Sequence, residues 1–170
     1  MKKFLIIGNM NAITYKEIFP LIKENKVWLG VRSATGGMWF DITNETSCGT
    51  RKVVNGKLLG NTKSIWFTNL DHAKRHETLG LYKKYNPEEF PKYDNYDAIE
   101  VGKTCDIPLD YKGIIGVPIT FLDKYCPDQF EIVGMMSGVK DPVFANGNDG
   151  RAKFYVNDKG VYARILIKSK

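Results

Sequence analysis

Cysteine is scarce in this chain. Three residues among 170, Cys48, Cys105 and Cys126, stand far apart and are odd in number. That argues against a disulfide framework and for a reducing cytoplasm. With no Cys-x-x-Cys pair, a structural zinc knuckle is not expected. Long apolar runs are missing too. The longest, Phe4–Ile7 and Ile114–Val117, fall far short of a membrane span. The two lysines at the start lead into no signal-peptide apolar stretch. There is no GxGxxG, no P-loop and no nucleophile-elbow serine. Internal repeats and low-complexity segments are absent as well.

What is present is globular in composition, with 43% apolar, 26% charged and 12% aromatic residues. The length suits one ordinary domain with a real core. Lys+Arg number 25 against 19 Asp+Glu, a net +6 that is unevenly spread. Residues 1–34 carry +4, 51–92 carry +5 and 143–170 carry +4, while 35–50 carry −2 and 93–142 carry −5. Such basic blocks permit a polyanionic partner such as DNA; they serve equally well as a solvated surface.

Along the chain, Lys2–Gly8 reads as a buried strand ending at glycine. Thr14-x-x-Glu17 has the pattern of a capping box, which predicts a helix to about Lys23 with Pro20 kinking it. Val27–Val31 is a second strand, and strand–helix–strand favours a parallel pair. Residues 32–50 have loop composition. Residues 51–60 predict a hairpin turning at Asn55-Gly56. Ser64–Thr68 is a third core strand, 71–79 a short helix or turn, and 83–96 a loop rich in proline and tyrosine. Short strands are expected at 98–101, 114–117, 130–134 and 162–168. Any internal boundary belongs near 80–95.

His72 and His76 stand four apart but lack a nearby third ligand, which makes a weak case for a metal. Cys126 reads as an ordinary thiol. In Ala34-Thr35-Gly36-Gly37-Met38-Trp39-Phe40, two rings follow a flexible stretch. They either fold back onto the core or offer a stacking platform for a planar group such as an extruded base. Gly113 and Gly116 imply close backbone approach or tight turns.

Several long stretches carry a family likeness. Lys2–Val31 (KKFLIIGNMNAITYKEIFPLIKENKVWLGV) resembles the middle of EcoRI-type adenine-specific DNA methyltransferases, and Trp66–Asp71 (WFTNLD) continues the resemblance. It is densest in Pro91–Gly134, through PKYDNYDAIEV, DIPLDYKGIIGVPITFLDKY and PDQFEIVG, and returns at Arg164–Lys168. Residues 41–62 and 135–160 are left outside it. The resemblance implies an α/β fold: the latter half of a class I (Rossmann-like) methyltransferase sheet with an appended mixed α+β recognition region. Residues 1–80 would be the sheet half and 81–170 the DNA-recognition region. Residues 3–8, 27–31 and 64–68 would be the fifth, sixth and seventh strands, with the last two antiparallel.

Such enzymes move the methyl group of S-adenosylmethionine onto the amine of a flipped adenine. The family's two motifs for this are a glycine-bearing cofactor loop and an Asn/Asp-Pro-Pro-aromatic motif. Neither is present, and no two prolines are adjacent. The resemblance therefore implies no catalytic or cofactor residue in this chain alone, which would act as the DNA-binding part of such an enzyme. Phe40, with Trp39 beside it, falls where related enzymes stack an aromatic on the flipped base. Asn9 and Asn11 would lie at the active-site end of the sheet, or simply make a turn. Arg32, Lys74, Arg75, Lys83 and Lys84 are candidates for contacts to the backbone of double-stranded DNA. The first strand would leave an open edge for an N-terminal half or a second copy. A stand-alone DNA-binding or phage-encoded regulatory module, or a decayed remnant, is the alternative.

Overall fold

The apolar run behind the two N-terminal lysines forms strand β1 (Leu5–Asn9). In the computed structural model, which describes residues 2–32, 36–43, 50–136 and 153–170, β1 belongs to a three-stranded sheet. Its other members are β2 (Trp28–Leu29) and β6 (Ser64–Thr68), in the order β1-β6-β2. Strand β6 runs antiparallel to both, with Phe67 opposite Ile6 on one side and Leu29 on the other. β1 and β2 therefore point the same way without pairing, which corrects the expected parallel pair. The reason is burial. Ile65, Phe67 and Thr68 make β6 the most buried of the three, so it takes the centre.

The expected helix from Thr14 is also corrected. Thr14 closes a 3₁₀ turn, with Oγ1 donating to the Asn11 carbonyl at 2.8 Å, and the N-cap position of the helix is Ile18. Met10–Thr14 form a 3₁₀ turn, and helix α1 covers only Phe19–Lys23. Pro20 sits in its first turn, where a missing N–H costs nothing, so it opens the helix rather than kinking it. α1 buries Phe19 and Ile22.

Between β2 and β6 the chain builds a second sheet of β3 (Met38–Asp41), β4 (Thr50–Val54) and β5 (Lys57–Thr62), ordered β3-β5-β4. The loop expected over 32–50 thus contains a strand, introduced by Gly36 and Gly37 at φ +99° and +66°. At Gly37 a side chain would run into the Thr62 carbonyl, so only glycine fits. The β4–β5 hairpin turns at Asn55-Gly56 as expected, with φ +51° and +75°. Ala34, Thr35 and Cys48 lie outside the described residues.

The rest of the chain forms a five-stranded sheet. Its members are β7 (Lys92–Tyr93), β8 (Tyr96–Glu100), β9 (Ile114–Pro118), β10 (Phe130–Met136) and β13 (Arg164–Ser169). The order is β10-β13-β9-β8-β7, and only β8–β9 pair in parallel. A small hairpin, β11 (Phe154–Val156) with β12 (Lys159–Val161), lays Phe154 flat against Tyr93 at 4.3 Å. The irregular segment leading into this half is clamped by Gln129, whose amide accepts from the Leu79 N–H and donates to its carbonyl.

One apolar cluster joins Ile13, Phe19, Ile22, Ile65 and Phe67 to Phe90, Ile99, Ile115, Phe121, Phe130 and Ile165. It crosses the boundary expected near 80–95. Phe121 meets Phe130 edge-on at 5.4 Å. Beside the second cluster, the Arg164 guanidinium grips the Glu100 carboxylate at 2.6 to 3.0 Å, and Tyr93 donates its hydroxyl to the same carboxylate. Burial, then the bond to Glu100, pushes the Tyr93 phenol far above its ordinary value. Gly116 makes room for Tyr93, since a Cβ there would overlap the phenol oxygen.

Two stability predictions follow from this pair. Arg164→Met takes the cation from the part-buried Glu100 carboxylate, leaving Tyr93 as its donor, and costs about 1.5–3 kcal/mol in denaturant unfolding; adding Glu100→Leu recovers only part of it, because the buried Tyr93 hydroxyl then loses its acceptor. Gly116→Ala overpacks Tyr93 and costs about 1–3 kcal/mol by the same measurement.

Candidate nucleic-acid interface

β1 and β2 both run toward the end of the core sheet at which Asn9 pairs with Ser64. Carboxyl ends of parallel-pointing strands are where open α/β sheets gather their ligand-binding loops. The β3-β5-β4 sheet grows from this end. β5 closes at Thr62, the Lys63 carbonyl accepts from Met10 N at 2.9 Å, and β6 begins at Ser64. Asn9 spends its side chain locally, accepting from the Asn11 N–H at 2.8 Å. It caps the turn, which is the simpler of the two roles open to it from sequence.

Register separates the two candidate rings. Phe40 faces Gly60, which faces Arg51, while Trp39 faces Asn61, which faces Thr50. Side chains alternate across a strand, so Phe40 and Trp39 lie on opposite faces of the small sheet. Lys52 covers Trp39 at 4.1 Å from the ring centre. Phe40 stays 43% exposed beside the side-chain-free Gly60, and is the ring presented to solvent.

The five basic candidates divide as well. Lys74 binds Asp123 at 2.8 Å and the Val31 carbonyl at 3.2 Å. Arg75 lies 3.7 Å over the Trp28 ring and donates to Asn25, and Lys83 pairs with Glu89 and Asp106. These three tie segments of the fold together. Arg32 and Lys84 are exposed. His72 and His76 do not share a target: His72 Nε2 bonds the Leu29 carbonyl, whereas His76 sits between Asp71 and Asp128. Among the described residues no cluster of ligating side chains is arranged for a metal ion.

One feature escaped the sequence reading of the site. Arg51, Lys52 and Lys57 place three cations on the β4–β5 hairpin; the Asn-Gly turn flanked by cations was the signal available. The outer edge of β1, expected to be open, is paired by no described strand. Leu5, Ile6 and Ile7, expected to be buried, are each about half exposed there, because that edge and face carry no described cover. Beside them runs an apolar trough of about 350 Å³, lined by Phe4, Ile6, Gly8, Ala12, Ile18, Leu21, Val27 and Phe67.

The His76 latch generates a pH prediction. The hydrogen bond to Asp71, then that to Asp128, raises the imidazole above its ordinary 6.5, and the same bond holds the Asp71 carboxyl below 3.8. Stabilisation from the raised His76 is complete below pH 6.5 and fades as pH climbs through the folded midpoint. The Asp71 contribution is present above 3.8 and fades as pH falls through its own folded value. Ring-proton NMR should place the His76 midpoint above 6.5, and Asp71→Asn should bring it back toward that value.

Comparison with known proteins bears on what this interface serves. The family model described as "Adenine-specific methyltransferase EcoRI" matches residues 1–170, and so takes in 41–62 and 135–160, which the resemblance had left out. Type II methyltransferase M.EcoRI of Escherichia coli is 48% identical over 175 residues, covering 99% of this chain and 51% of the relative. Type II methyltransferases M.MgeORF184P of Mycoplasma genitalium and M.MpnI of Mycoplasma pneumoniae are 35% and 33% identical, each covering 99% of this chain and 57% of the relative. No solved structure matches. The chain spans about half the length of the curated relatives it matches. With the whole of its length matched by the family model, this chain belongs to the EcoRI family of adenine-specific methyltransferases.

Proposed function

We propose that this chain is the C-terminal, DNA-binding half of an S-adenosylmethionine-dependent, adenine-specific DNA methyltransferase of a restriction-modification system. It works in the cytoplasm and is inactive without the other half. The observation that carries this reading is the outer edge of β1. An apolar strand with an unpaired ladder of N–H and C=O groups is a template for another strand. Here it comes with three half-exposed aliphatic side chains and an adjoining apolar trough. The half of the relatives' length that lies beyond this chain is the occupant of matching size. In that assembly β1, β6 and β2 are the fifth, seventh and sixth strands of a class I sheet. Residues 1–80 complete that sheet and residues 81–170 recognise DNA.

S-adenosylmethionine supplies the methyl group when it is bound. Among the described residues the apolar trough does not fit it, because it offers no polar side chain to a zwitterion, and the Asn9 Oδ1 is taken up by its own turn. This chain's share is the DNA. Phe40 stacks on the flipped adenine, with the Lys52-covered Trp39 behind it on the other face. Arg32 and Lys84 contact phosphates. Lys74, Arg75 and Lys83 hold the surrounding segments in position.

The chain alone should transfer no labelled methyl group to duplex DNA, and should regain transfer when mixed with a separately expressed preceding half. Methylation by the purified chain alone refutes the proposal. Ile6→Lys should keep the melting temperature of the chain and abolish complementation. Without the other half, the same edge should pair two copies, seen as a dimer in light scattering that Ile6→Lys returns to monomer. Undiminished complementation by that variant means the edge is not the joint.

A further inference from the structure

We propose that the β4–β5 hairpin is a groove-entering ribbon that the protein inserts into duplex DNA. The inference rests on the DNA-binding reading above and names the element that carries the contact.

The first ground is shape. The major groove admits a two-stranded β-ribbon. All five residues of β4 are exposed, and no described strand pairs with its outer edge. β3 flanks β5 from Leu59 to Thr62, so the two-stranded ribbon is the turn end of the hairpin, with Arg51 and Lys52 at its root. The Asn55-Gly56 turn has both residues in the left-handed region, so the tip is only two residues wide and keeps the twist of its strands. The ribbon arises at the carboxyl-terminal end of β1, on the same small sheet that exposes Phe40.

The second ground is charge. From Thr50 to Lys57 the chain carries Arg51, Lys52 and Lys57 and no acidic residue. The cations are not all on one face. By register Arg51 shares a face with Phe40, while Lys52 and Lys57 share the other with Trp39 and Asp41. A ribbon standing in a groove meets a phosphate strand on either side, so cations on both faces suit it. A ribbon lying flat on a surface would use one face only. Lys57 sits beside the turn, opposite Val54, and Asp41 at 3.1 Å draws its side chain back toward β3.

The third ground is the tip. Val53 and Val54 are 68% and 41% exposed, next to Asn55. Two consecutive exposed valines project to opposite faces and are poorly served by water. In a major groove, thymine methyl groups and base-edge donors and acceptors are the matching surface for valine and asparagine. A protein strand added to the β4 edge is the competing occupant; the arginine and lysine on that edge disfavour it.

The test compares salt dependence of binding to short duplex DNA, by fluorescence anisotropy, for three forms of the chain. These are the wild type, Arg51→Gln/Lys52→Gln/Lys57→Gln, and Lys16→Gln/Lys23→Gln/Lys26→Gln. The last removes the same charge from exposed positions around α1, outside the hairpin and outside residues 81–170. Circular dichroism and melting confirm that each variant is folded. The ribbon variant should lose about 2–3 from the slope of log affinity against log salt, at about 0.9 per phosphate released. The control variant should keep the wild-type slope. Equal losses in both variants mean overall charge alone is at work and overturn the ribbon. So does an unchanged slope in the ribbon variant while the wild type binds. A wild type that binds no duplex at low salt, alone or with the complementary half, overturns the DNA-binding reading itself.

Discussion

Every backbone N–H and C=O removed from water needs a partner, and β1 meets that demand on one edge only. Its inner edge pairs with β6 along the whole strand, from Leu5 opposite Thr68 to Asn9 opposite Ser64. Its outer edge pairs with nothing described, although its side chains are those of an interior strand. Natural edge strands are blunted by charge, proline or bulges, and Leu-Ile-Ile-Gly carries none of these. The trough beside it repeats the message on the α1 side. The chain spans about half the length of the curated relatives it matches.

The C-terminal half is more deeply buried than the N-terminal half. Its sheet buries Ile99, Ile115, Val117, Ile165 and Ile167 almost completely, and the Glu100 carboxylate is shared between Arg164 and Tyr93. That interaction joins β8, β13 and β7, so it fixes the order of strands distant in sequence. Through Phe121 and Phe130 the same core reaches α1 and β6, so one core supports both sheets. Lys74, Arg75 and Lys83 each bind neighbouring segments of the fold as well.

Much of the fold was legible locally. The hairpin at Asn55-Gly56 followed from turn chemistry, and the third core strand at 64–68 from its apolar run. The helix expected from Thr14 starts only at Phe19, because the chain first closes a 3₁₀ turn over Met10–Thr14 and Pro20 suits the first turn of a helix. Strand β3 was hidden because its partner lies some twenty residues away in β5, and composition reads only neighbours. The β11–β12 hairpin was missed for a related reason: it is held by Phe154 stacking on Tyr93, a contact across the molecule. At the site, Phe40 and Trp39 looked like one platform because they are adjacent. The period-two alternation of a strand puts them on opposite faces.

Sequence by itself determined the family, through long matching stretches. It determined the uneven charge and the turn that shapes the β4–β5 ribbon, since those depend on residue identity and nearest neighbours. Only the tertiary structure decided that β6 lies between β1 and β2, which cations the fold consumes, and which aromatic ring faces solvent. Those outcomes depend on burial and pairing between distant residues. The exposed edge of β1 is both at once: its residues are written in the sequence, but only the sheet shows that nothing described here covers them.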